Sequence, residues 1–197
     1  FDGRVAHGYL IVSFAAGLVP ALAAGWLLFP RLLYRTEAQP LPFNHKAHAE
    51  QGMACADCHA VTEDGRFAGL PKTEACAGCH AEKGENAAVN ALVAKYVEPA
   101  AEVPWRVYAR QPDNVYFPHA PHVTGDKVAC TRCHGPEGTS TTTRAYQENR
   151  LSGYSRDIWG PSIARAGRKE WQGMKMSDCI QCHRAGGRES ACIDCHK

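Results

Sequence analysis

Apolar and polar positions follow two regimes along this chain. From Gly8 to Phe29 no residue is charged. At 1.5 Å of rise per residue, about 20 residues cross the hydrocarbon layer of a bilayer, so this run predicts one membrane-spanning helix. Tyr9, Trp26 and Tyr34 fall near its ends, where aromatic belts sit, and Pro20 is tolerated in lipid. A cleaved secretory signal is the competing reading, because Ala21 to Gly25 resembles a small-residue cleavage region. The run continues through Leu27, Leu28 and Phe29, which favours an uncleaved anchor. Beyond it the pattern breaks up. One amphipathic stretch, Glu85 to Val97, places Val89, Leu92, Val93 and Tyr96 on one helical stripe, and Pro99 ends it. Elsewhere 18 Gly and 12 Pro punctuate short segments, so short helices with little or no sheet are expected. The division that follows is an anchor over 1–35 and a second domain over 36–197, entered through an extended linker from Thr36 to Pro42.

The cysteines change this picture. All ten lie in five Cys-x-x-Cys-His motifs: Cys55/Cys58/His59, Cys76/Cys79/His80, Cys130/Cys133/His134, Cys179/Cys182/His183 and Cys192/Cys195/His196. Two thiols at this spacing add across the vinyl groups of a haem, and the adjacent imidazole reaches the iron. A lone Cys-x-x-Cys is as often half a zinc site or a redox dithiol. Zinc, however, has no use for a histidine immediately after each pair, and a disulfide framework would not repeat one fixed spacing. Five covalent c-type haems are therefore expected. Roughly 30 residues per haem is too few for an ordinary side-chain core, so porphyrins must supply buried surface. The fold class is a mostly irregular and α multihaem cytochrome c.

The cofactors also reverse the charge. The polypeptide carries a formal +2. With ionised propionates on five haems, the loaded protein lies near about −3 oxidised and about −8 reduced. Nucleic-acid binding is not supported; Arg and Lys suit propionates and protein docking.

Each iron needs a second axial ligand. Phe43-Asn-His45-Lys-Ala-His48 precedes the first motif, and Phe117-Pro-His119-Ala-Pro-His122 precedes the third. Two histidines three apart share a helical face, and the repetition marks an internal duplication. His7 lies before the apolar run, so His45, His48, His119 and His122 are the distal ligands: four bis-histidine haems, and one that differs. Met53, Met174, Met176, a lysine or an open position can complete the last iron. Met176, then Met174, is favoured because both lie just ahead of Cys179, and a thioether raises the potential. An open iron would instead imply a multihaem reductase.

Gly135 to Gly173 is a long interval without a motif and holds Arg144, Arg150, Arg156, Arg165, Arg168 and Lys169, which suggests a docking segment. Arg4 faces Arg31 and Arg35 across the span, so charge leaves orientation open. Because c-type haems are attached outside the energy-conserving membrane, the N-terminus is expected in the cytoplasm and the haem domain in the periplasm, on a bacterial inner membrane.

Several stretches resemble the membrane-anchored pentahaem cytochrome c subunit of alternative complex III, a quinol-oxidising complex. They are Pro40 to His48, Leu70 to Cys76, Val103 to Val107, Val115 to Val123, Cys130 to Gly135 and Met176 to Arg184. Thr139 to Gly173 departs from that pattern. The resemblance implies an iron-sulfur/molybdopterin-like periplasmic subunit, polytopic quinol-binding subunits, a monohaem cytochrome c and a soluble periplasmic acceptor as partners. It also strengthens Met176 as a ligand. The expected role is an electron conduit with no active site of its own. The alternatives are the multihaem subunit of a menaquinone reductase complex, a family that usually carries six haems, and a free-standing anchored cytochrome feeding a reaction centre or terminal reductase.

Overall fold

The computed structural model describes residues 3–109, 111, 113–152, 169, 171 and 174–196. An N-terminal helix, Gly3–Ala23, continues through a π-turn at Ala24–Leu28 and a final turn at Phe29–Leu32. Its segment His7–Leu28 spans 22 residues with a mean hydropathy of 2.0, and none of it is buried against the rest of the chain. The helix is long and apolar enough to cross a membrane, and it lacks the cover that a soluble core helix would have.

The chain then turns into strand β1, Tyr34–Glu37, which pairs antiparallel with β2, Tyr146–Asn149. Tyr34 faces Asn149, Arg35 faces Glu148, Thr36 faces Gln147 and Glu37 faces Tyr146. Side chains secure this small sheet. Arg35 donates from Nε to Glu148 at 2.5 Å, and Arg106 pairs with Glu37 at 2.5 Å while its guanidinium lies 5.6 Å from the centroid of the Tyr146 ring. Gln39 exchanges two 2.9 Å hydrogen bonds with the Arg106 backbone. Buried Asn149 donates to the Tyr34 hydroxyl and accepts from the amides of Leu151 and Ser152. The expected extended linker is thus partly a strand, and β1 straddles the 35/36 boundary. The described part of the presumed docking interval supplies β2; positions 153–168 of it lie outside the described residues.

The amphipathic stretch folds two residues later than its periodicity predicts, as Ala87–Leu92 followed by a π-turn, Val93–Val97. Asn86 sets the start, because its Oδ1 accepts from the amides of Ala88 and Val89 and satisfies donors that the first turn leaves free. Val93 is 1 % exposed, and its turn packs on the short helix Thr73–Ala77. Thr73 joins the same region to Val103: its Oγ1 accepts from the Val103 amide at 3.0 Å, and its own amide donates to Glu102 at 2.9 Å. Leu33, Leu41, Val93 and Val103 are the only buried apolar side chains among the described residues. Four such side chains cannot hold a domain of this size unless something else completes the interior.

Candidate haem centres

The motifs fold locally as single helical turns, so the two thiols of each pair, three positions apart, lie on one side. Turns run over Cys55–Cys58, Cys130–His134 and Cys192–Cys195; Cys76 lies in the last turn of the Thr73–Ala77 helix, and Cys179 and Cys182 sit in Met176–Ala185. The amides of His59, His80 and His196 each donate to the carbonyl of the first cysteine of their motif at 2.9 Å. Aspartates fasten three turns from the front. Asp57 accepts from the Ala54 amide, Asp178 from Lys175 and Asp194 from Ala191, at 2.7 to 2.8 Å.

No disulfide joins any of the ten cysteines, all of which lie among the described residues. Burial pushes Cys55, Cys76 and Cys179 above the ordinary thiol range, and neighbouring thiols add to the effect. Redox dithiols depend on a lowered thiol pKa, so this environment argues against that chemistry. Among the described residues, no three His, Cys, Asp or Glu side chains converge as a structural zinc site requires.

The four distal candidates are presented in two matching units. Phe43 stacks on His48, with centroids 4.5 Å apart, and meets His45 edge-on at 4.8 Å. Phe117 stacks on His122 at 4.6 Å and meets His119 edge-on at 5.0 Å. In both units the second histidine donates from Nδ1 to a carbonyl four residues back, Asn44 for His48 and Pro118 for His122, each at 2.8 Å. The duplication seen in the sequence is therefore a duplication of geometry.

Each unit aims its rings at motif histidines. The ring centroids of His48 and His80 are 6.1 Å apart, those of His119 and His134 6.3 Å, and those of His122 and His183 6.1 Å. Two imidazoles binding one metal through nitrogen at about 2.0–2.1 Å each hold their centroids roughly 6 Å apart. Burial lowers the pKa of His45; Glu137 opposes that shift, and the charges of His59 and His48 add to it. Neutral imidazole is the form that binds metal.

The Nδ1 contacts fix which nitrogen faces the gap. His59 donates to the Gly69 carbonyl at 2.8 Å, His119 to Arg66 at 2.6 Å and His196 to Asn114 at 3.1 Å, while His183 shares a hydrogen bond with Ser190 Oγ. With Nδ1 so engaged, Nε2 is left for iron. These acceptors escaped the sequence reading because most are backbone carbonyls, which leave no residue signature.

Among the described residues, the buried donors His45 Nδ1 and Trp105 Nε1 lack an acceptor, and both flank Phe43, Trp105 at 6.2 Å. Paired orphan donors at a candidate axial histidine suit a haem propionate. The residues present thus fit c-type haem in thiol spacing, imidazole separation and unfilled donors. Met176 opens its helix with 65 % of its surface exposed, Met174 is half-buried and Met53 is 39 % exposed. Arg144, expected to serve docking, instead pins the third motif: it donates to the carbonyls of His134 at 2.6 Å and Trp171 at 2.9 Å and pairs with Glu137.

Comparison with known proteins agrees with this geometry. The cytochrome c3 family model matches residues 47–147, which contain three of the five motifs. The menaquinone reductase multihaem cytochrome c subunit of Nitratidesulfovibrio vulgaris (strain Hildenborough) is 38 % identical over 201 residues, covering 93 % of this chain and 89 % of that protein.

Proposed function

Starting from the membership of this chain in the cytochrome c3 family of multihaem electron-transfer proteins, we propose that it is the multihaem subunit of a membrane-bound menaquinone reductase complex. The observation that carries the reading is the similarity to such a subunit across nearly the whole of both chains. Haem supplies reversible one-electron chemistry at iron. The polypeptide supplies attachment through Cys55, Cys58, Cys76, Cys79, Cys130, Cys133, Cys179, Cys182, Cys192 and Cys195. Its axial pairs are His45/His59, His48/His80, His119/His134 and His122/His183. His196 is left without a histidine partner, and we assign it Met176, at the head of the helix that bears Cys179.

In this reading the N-terminal helix anchors the subunit in the inner membrane, with residues from Arg31 onward on the periplasmic side. Two one-electron donors in the periplasm reduce one menaquinone, which takes up two protons at a site in membrane subunits of the complex. The alternative complex III reading runs the quinone chemistry backwards, and the Met176-Ser-Asp-Cys179 stretch is what favours it.

The intact purified complex decides between them. Given a reduced periplasmic cytochrome and a menaquinone analogue, it should form quinol at two electrons per quinone. A complex that only oxidises menaquinol and reduces soluble cytochrome would replace this assignment with the quinol-oxidising one.

A further inference from the structure

The spatial order of the five motifs can be read from contacts between them, and it differs from their order in the chain. The first and third motifs meet at the loop that follows the first: Gly69 of that loop accepts from His59 Nδ1, and Gly65 and Arg66 of the same loop face the segment that carries His119. Backbone contacts close the same junction. Ala120 donates to the Gly65 carbonyl at 2.9 Å, and His119 donates to Arg66 through both its amide and Nδ1. Lys46 donates to Ser140 at 2.9 Å, so the helix bearing His45 lies along the segment that follows the third motif. Gly65 is required there: it has φ +71, and a Cβ at this position would stand 2.8 Å from Ala120 Cβ.

The other junctions are equally specific. His48, on the short helix His45–Glu50 just ahead of the first motif, reaches His80 of the second, with ring centroids 6.1 Å apart. The fourth and fifth motifs are tied by the hydrogen bond between His183 Nδ1 and Ser190 Oγ, two residues ahead of Cys192. His119 and His122, one turn apart, reach the third and fourth motifs. The fifth motif is held by Tyr116, whose amide donates to the Cys195 carbonyl at 2.7 Å, and by the His196 contact with Asn114.

We infer that the five attachment motifs form a single row in the order second, first, third, fourth, fifth, so that electrons enter and leave at the Cys76–His80 and Cys192–His196 ends. This rests on all five motifs carrying haem. The first motif, although nearest the membrane helix in sequence, is an interior station. Each Phe-x-His-x-x-His unit joins two neighbours in the row, and the Gly65–Ala120, Arg66–His119 and Lys46–Ser140 contacts join the two duplicated halves. The ends differ in cover. The second motif is backed by the Ala87–Val97 helical segment, while the fifth is open, with Ile193 75 % exposed.

An experimental map of the haem-loaded full chain in its complex tests the order directly through the iron positions. The expected result is that the second motif's nearest iron is the first motif's, and that the first and third are adjacent. Irons spaced in chain order, with the second next to the third, would overturn the row. Fewer than five irons in the same map would overturn the haem count beneath it instead. In solution, His48→Met raises the potential of the second motif's haem and should shift one other haem, the first, in a site-resolved redox titration followed by nuclear magnetic resonance. An equal shift at the third motif's haem would contradict a terminal position.

Discussion

At the scale of single residues, the account rests on which nitrogen points where. His122 has Nδ1 tied to Pro118 and its ring 6.1 Å from His183, so under the proposed ligation its loss affects a single iron. His122→Ala should convert a single haem from low to high spin and let it bind carbon monoxide, with the other four unchanged in optical and paramagnetic resonance spectra. Met176→Leu is expected to abolish the highest-potential step of a redox titration, while Met174→Leu leaves it in place. Gly135 gives a test independent of iron. It adopts φ 75 and ψ −172, conformations essentially confined to glycine, and an added Cβ would run into the Trp171 ring. Gly135→Ala should therefore cost about 1–3 kcal/mol, seen as a lower thermal midpoint, with all five haems still attached.

At the scale of elements, the Ala87–Leu92 helix shows what the pattern of apolar positions can and cannot tell. Its stripe was legible, and Val93 is the most buried side chain among the described residues. The helix start was misjudged because Asn86 caps it, and Asn86→Ala should lose about 1 kcal/mol in denaturant unfolding. The haem motifs and the repeated Phe-x-His-x-x-His units were legible because their chemistry is local: one turn fixes two thiols, and the next residue is the ligand. The β1–β2 pairing was not. Tyr-Arg-Thr-Glu and Tyr-Gln-Glu-Asn lack the apolar alternation that announces a strand, and Arg35 and Glu148 are separated by 113 positions. The assignment of distal to proximal histidines was hidden for the same reason. Nothing in the spacing of His48 tells that it turns to His80 rather than His59; a backbone turn and the stack on Phe43 decide it.

At the scale of the whole molecule, a small side-chain core, an uncovered apolar helix and five thiol pairs describe a protein whose interior is completed by its cofactors. The family and the role in electron transfer follow from sequence and similarity together, and similarity moves the partner complex from quinol oxidation towards menaquinone reduction. The central claim is the five covalent haems, and the intact mass of the mature holoprotein tests it most directly. The account predicts the mass of the polypeptide plus five haems, each persisting after denaturation. A mass equal to the bare chain, or short by even one haem, would contradict it.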